Sequence, residues 1–213
     1  MAIPSECRMS DLSGVTRSLM GSLMVQLMVG ERGLSRKTTL YRRNFIRLLD
    51  KALREYQEAR QTILDQIGER NRPVEDMSKQ GRYLYIIRFP DHVESCISAV
   101  RQLYKLLERI KSEKESPPIP RDLRKAVEKM RPLIVNIRDA IEHMEERIQK
   151  DEIAPGEPVM ATVSEDGDAV LVSKYQIKFK DLAMVLEKMH EIAFYVLTIK
   201  KMDPTGLPGE IPA

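Results

Sequence analysis

Apolar residues recur along this chain at three- and four-residue steps in four long stretches, the signature of amphipathic helices with one buried face. Tyr41, Phe45, Leu48, Leu49, Ala52, Tyr56, Ala59, Ile63 and Ile67 mark a helix over about 38–67, closed by Gly68 and Pro73. Val93, Cys96, Ile97, Val100, Leu103, Tyr104, Leu107 and Ile110 mark another, with Asp91 as its N-cap. The charged run 111–115 and then Pro117, Pro118 and Pro120 end it. Leu123, Val127, Met130, Ile134, Ile137, Ile141, Met144 and Ile148 form a continuous seam over about 121–150, with Pro132 inside it expected to kink or restart the helix. Leu182, Val185, Leu186, Met189, Ile192, Ala193, Val196 and Leu197 mark the last helix.

Between the last two helices the period changes. Pro155-Gly156-Glu157-Pro158 breaks the helical pattern, and 159–163 and 169–172 flank Asp166-Gly167, which reads as a β-hairpin turning at that pair. Residues 176–179 add a short extended piece. Residues 70–90 are polar and then aromatic, ending at Phe89-Pro90. Their expected role is an ordered connection plugging one end of the core, although Tyr83, Tyr85 and Arg88 also suit an RNA-stacking surface. The fold class is therefore all-α, a helical bundle of four to five helices with a small β-hairpin inserted before the last helix.

Residues 1–34 read as an N-terminal extension. Met20, Leu23, Met24, Leu27 and Met28 share one helical face that would pack on the bundle or on a partner, with a mobile extension or a membrane-surface contact as the alternatives. The apolar stretch is too short to span a bilayer. Residues 35–202 form the bundle, and 203–213, with three prolines and two glycines, read as a disordered tail.

Composition narrows the chemistry. The 213 residues carry a net charge of +3, which permits nucleic-acid binding without demanding it. Cys7 and Cys96 are isolated, so neither a disulfide framework nor a thiolate metal site is expected, in keeping with a cytoplasmic protein. Three scattered histidines make no metal box, and no phosphate-cradling glycine motif or nucleophile elbow is present. No metal and no cofactor are expected. Arg36, Lys37, Arg42, Arg43 and Arg47 make the first half of the first long helix basic, which reads as a solvated face before a phosphate-tracking patch.

The remaining chemistry lies in Arg138-Asp139-Ala140-Ile141-Glu142-His143, followed by Met144-Glu145-Glu146-Arg147. An arginine offers a planar fork of donors to phosphate, and a histidine moves protons near neutral pH. This run resembles the Arg-x4-6-His signature of HEPN domains, and the helix order over roughly 38–200 resembles that family's bundle. Asp139 stands where that family more often has Asn. The resemblance implies a metal-independent endoribonuclease, a toxin or defence component acting as a homodimer, with an RNA substrate and a cognate antitoxin or nucleotidyltransferase as partners. His143 would be the general acid or base and Arg138 the phosphate ligand, with Asp139 orienting the imidazole and Glu142 holding the guanidinium. On a continuous helix Arg138 and His143 project roughly 140° apart, so a two-fold partner is needed for them to converge. The alternative is a non-catalytic helical protein-interaction or regulatory module, in which the same residues form ordinary surface ion pairs.

Overall fold

The computed structural model describes residues 4–15, 21, 24, 34–85 and 87–197. Among them, α1 spans Arg36–Arg70, α2 Val74–Gln80, α3 Arg88–Ser112, α4 Arg121–Glu142, α5 Met144–Gln149 and α6 Phe179–Leu197. Strands β1 (Thr162–Val163), β2 (Ala169–Val172) and β3 (Tyr175–Lys178) precede α6. The molecule is an all-α bundle with a small antiparallel sheet before its last helix.

Helix α1 starts at Ser35, whose Oγ accepts from the Thr38 backbone N–H at 3.1 Å. It runs through Gly68 and ends at Asn71, beyond the expected stop: the glycine leaves propensity weak, yet Gln66 and Glu69 on either side of it are buried and hold the turn in place. Helix α3 starts at Arg88, before the expected Asp91 cap, because Pro90 falls in the first turn, where its missing N–H has no intrahelical partner to lose. Pro132 does not interrupt α4. The break comes instead at His143, with φ −100° and ψ 12°. The predicted seam ends with it: Met144 is buried, but Ile148, expected in the core, is 53% exposed.

Helices α1 and α3 form the most extensive pairing, and α3–α4, α4–α6 and α6–α1 contacts close the four into one bundle. Lys37 of α1 bridges Glu113 beyond the C-terminus of α3 at 2.7 Å, so these two helices are antiparallel. Arg131–Glu108 at 2.5 Å and Arg101–Asp139 at 3.1 Å show α3 and α4 to be antiparallel as well. The core holds Phe45, Tyr56, Tyr104 and Phe179, and Phe179 meets Phe89 edge-to-face with centroids 6.3 Å apart. Tyr104 Oη donates to the Val127 carbonyl at 2.7 Å.

The sheet has the order β1-β2-β3, with Val163 opposite Val170 and Val170 opposite Ile177. The first connection is wider than a two-residue Asp-Gly turn. Ser164 N–H donates to the Ala169 carbonyl at 2.9 Å, and Gly167 N–H donates back to the Ser164 carbonyl, also at 2.9 Å. Gly167 takes φ +72°, as the hairpin reading expects, and is buried under Pro4.

The N-terminal extension is partly a strap. Met9 and Leu12 are buried, Arg60 Nε donates to the Met9 carbonyl at 3.1 Å, and Gln57 Nε2 donates to Asp11 at 2.8 Å. Of the apolar face predicted for the helix after it, only Met24 is described, helical and 57% exposed; Met20, Leu23, Leu27 and Met28 lie outside the described residues, as does the tail 203–213. No helix among the described residues is long and apolar enough to cross a membrane.

Candidate functional site

The four residues singled out by the motif lie at the C-terminal end of α4, where Glu142 holds the Arg138 guanidinium as expected, but Asp139 and His143 do not meet. Arg138 is only 21% exposed in its side chain, and its Nη2 pairs with Glu142 Oε1 one turn along the same helix. Asp139 does not reach the His143 ring. It is taken by Arg101 of α3, whose Nη2 lies 3.1 Å from Asp139 Oδ1. His143 forms the helix break itself. Its side chain is 59% exposed, with Nδ1 3.4 Å from Glu146 Oε1, a loose surface pair. The motif therefore splits into a half-buried arginine pair between α3 and α4 and an exposed histidine at the start of α5.

Burial, and after it the neighbouring Arg101, hold the Arg138 guanidinium below its usual range, while Asp139 opposes the shift. Arg138 stays charged at neutral pH nonetheless. Among the described residues, Arg138 Nη1 and Arg101 Nε are buried without a hydrogen-bond partner. Two guanidiniums thus sit side by side, each with one carboxylate and each with an unused donor. Glu142, Glu145 and Glu146 are exposed around His143, so the outward side of this junction is acidic.

Beyond the break a second cluster fixes the chain. Arg147 Nη1 lies 2.7 Å from Glu157 Oε1 and 2.6 Å from Ser173 Oγ, and Nη2 donates to the Glu152 carbonyl at 3.1 Å. Ser173 donates in turn to Glu157 and takes φ +53°, a left-handed conformation normally given to glycine. Arg147, Ser173 and the Ala154 N–H together hold the Glu157 carboxyl down at about 2. This network ties α5 to the loop before the sheet.

Arg101, Glu157 and Ser173 were missed by sequence reasoning. Arg101 lies beside the apolar stripe of α3, and only the antiparallel register with α4 brings it to Asp139. In the basic first half of α1, Arg36, Lys37, Arg43 and Arg47 are exposed while Arg42 is buried; Lys37 pairs with Glu113 and Arg47 donates to Asn44 at 2.8 Å. His92 pairs through Nδ1 with Glu55 of α1 at 2.8 Å, away from the motif. No group of three or more potential metal ligands occurs among the described residues.

Residues 70–90 depart most from expectation. They contain α2, which buries no side chain, and an extended piece, 81–85, that lies outside the core. Tyr83 N–H donates to Glu69 Oε2 at 3.2 Å and Tyr85 N–H to Gln66 Oε1 at 2.9 Å, so the piece runs antiparallel along the end of α1. Tyr83 is 51% exposed, Leu84 68% and Ile87 71%. The core at this end is closed by Phe89 and Pro90, leaving nothing for the tyrosines to plug. Arg72 lies over the Tyr83 ring at 5.6 Å and Arg88 over the Tyr85 ring at 5.8 Å.

Compared with protein-family models, with curated proteins and with solved structures, the chain matches none. The resemblance to HEPN domains rests on the motif and the helix order alone.

Proposed function

We propose that this chain is a non-catalytic helical binding module that works through the end of the bundle where α1 finishes, α3 begins and α4 meets α5. One observation carries this reading: the charges of the motif are satisfied inside the protein. Glu142 holds Arg138 and Arg101 holds Asp139, while His143 stands exposed among glutamates that repel phosphate. A general acid needs its partner groups within hydrogen-bond reach of a common substrate, and here they point apart. The test is cleavage of a labelled single-stranded RNA with chelator present, comparing wild type with His143→Ala and Arg138→Ala. The expected result is no cleavage by any of the three.

The second reading is the metal-independent HEPN-type endoribonuclease acting as a homodimer, with an antitoxin or nucleotidyltransferase as a further partner. The unused donors of Arg138 Nη1 and Arg101 Nε favour it, because two neighbouring guanidiniums with donors to spare could hold a phosphate once the ion pairs covering them open. On that reading each alanine variant loses about 10²–10⁴-fold in rate. The product carries a 2′,3′-cyclic phosphate, because the 2′-hydroxyl is the nucleophile, and DNA resists cleavage. Light scattering that shows a monomer at micromolar concentration leaves this reading without its composite site.

A further inference from the structure

The arm between α1 and α3 has a feature that neither reading uses. In an extended chain successive N–H groups point to opposite sides. Tyr83 and Tyr85 send theirs inward to Glu69 and Gln66 of α1. Leu84, between them, sends its N–H outward, where it meets no acceptor among the described residues. The segment thus runs strand-like beside α1, with its inner edge satisfied by side chains and its outer edge unpaired among the described residues.

The inner edge is firmly held. Glu69 and Gln66 are buried, Arg72 Nη1 braces Glu69 at 2.9 Å, and Arg72 Nη2 donates to the Gly81 carbonyl. An extended segment pinned in this way is prepared for strand addition, since little ordering entropy remains to be lost on binding. Leu84 and Ile87 are among the most exposed large apolar side chains of the described protein, and an isolated helical bundle gains nothing from placing them there. The charge around them has one sign in excess: Arg70, Arg72, Lys79, Arg82 and Arg88 against Glu69, Glu75 and Asp76.

We propose that the open edge of residues 81–85 docks an extended segment of a partner protein by β-strand addition. The partner segment would carry an apolar residue to cover Leu84, a second beyond the strand end to reach Ile87 at the start of α3, and acidic residues at its flanks, to meet the arginines. This rests on the binding-module reading and names its partner class. A single-stranded RNA stacking on Tyr83 and Tyr85 is the competing occupant. It accounts for the arginines and the tyrosines, but it leaves Leu84, Ile87 and the open N–H unexplained.

The test pans a displayed library of random 12-residue peptides on the full chain. Enriched peptides are then titrated, fluorescein-labelled, by anisotropy. The expected consensus places two apolar residues between Asp or Glu flanks. Leu84→Pro removes the outward N–H without touching an internal bond, and should weaken binding at least about tenfold. Leu84→Ala keeps the N–H and should lose less. Melting temperatures of both variants should match wild type, because the arm buries no side chain from 81–85, so loss of binding cannot be laid to unfolding. No enrichment, or equal binding to Leu84→Pro, overturns the proposal. So does binding of a 12-mer oligouridylate that depends on Tyr83 and Tyr85 and displaces the peptides. RNA cleavage by wild type would sink the module reading while leaving peptide binding to the arm standing, so the two failures are distinguishable.

Discussion

Gly167 offers the sharpest test of how the N-terminal strap and the hairpin are joined. Its φ of +72° is a left-handed conformation that costs an L-residue roughly 1–2 kcal/mol. It is also buried, and a Cβ built there would lie 3.0 Å from the Cβ of Pro4. Ordinary carbon–carbon contact is about 3.5–4.0 Å, so Pro4 would have to retreat by about half an ångström or more. The strap cannot easily follow, because buried Met9 and Leu12 and the Arg60 bond to the Met9 carbonyl anchor it a few residues on. Overpacking of this kind adds about 1 kcal/mol or more. Gly167→Ala should therefore destabilise by about 2–3 kcal/mol, a fall in Tm of about 4–10 °C for a chain of this size. The two contributions separate in a double-mutant cycle with Pro4→Gly, which deletes the opposing Cβ. The double variant should regain the contact part, about 1 kcal/mol, and keep the backbone part. Circular dichroism melts of the four proteins measure this. A Tm for Gly167→Ala within about 1 °C of wild type would refute both halves of the argument. Full rescue by Pro4→Gly would refute the backbone half.

Three further outcomes are expected. Glu157 is held down at about 2 by Arg147 foremost, so its ionised form favours the folded state: that contribution is complete above the usual carboxylate value of 4.5 and is lost as pH falls through about 2. Stability-against-pH curves for wild type and Glu157→Gln should converge below that range and diverge above it; parallel curves would contradict the linkage. Tyr104→Phe deletes a buried hydroxyl that donates to the Val127 carbonyl and should cost about 1 kcal/mol, read as a shift in urea midpoint with unchanged slope. Burial pushes the Cys96 thiol well above its usual range, so under native conditions a thiol reagent should label Cys7, which is half-buried, and reach Cys96 only after denaturation; two fast native thiols would count against the core placement.

What the sequence revealed follows from the range over which each signal acts. The helical stripes report burial directly, and Phe45, Tyr56, Val100, Ile137 and Leu186 all lie in the core. The hairpin was legible because Asp166-Gly167 marks a positive-φ turn, although its width was set by the Ser164–Ala169 pairing, which no local pattern encodes. The break at His143 left no such mark: Glu142 to Arg147 are all compatible with helix, and the seam spacing continues to Ile148. What stops α4 in the fold is the tie from Arg147 to Glu157 and Ser173, distant in sequence and invisible to periodicity. The partner of Asp139 was illegible for the same reason. Its i+4 neighbour His143 looked like the obvious contact, but the antiparallel approach of α3 offered Arg101, a stronger and permanently charged one. The arm is not legible in the sequence because aromatic content signals burial only on average, whereas here buried Gln66 and Glu69 reach its backbone and leave Tyr83 and Leu84 exposed.

The electrostatics of this end of the bundle bear on both readings at once. At the α4–α5 junction Asp139, Glu142, Glu145, Glu146 and Glu157 stand against Arg101, Arg138 and Arg147, an excess of two negative charges. A two-fold dimer that brought two such junctions together would double the excess just where a phosphate must enter, and it would add a second copy of the exposed glutamates around His143. Salt would lessen that repulsion only at the rim, since the arginine pair is half-buried. The arm, in contrast, has an excess of two positive charges. Arg101, which touches the junction, lies about 20 Å along α3 from Arg88 at the base of the arm, and α4 runs on toward that end. A basic arm and an acidic junction therefore both lie toward the end of the bundle where α3 begins. Such a charge pair orients a partner of complementary pattern, with acidic flanks over the arm and a basic side over the junction, and turns away a uniformly charged polyanion. The same arrangement predicts salt-sensitive association with an extended acidic segment and weak attraction for RNA at the motif itself.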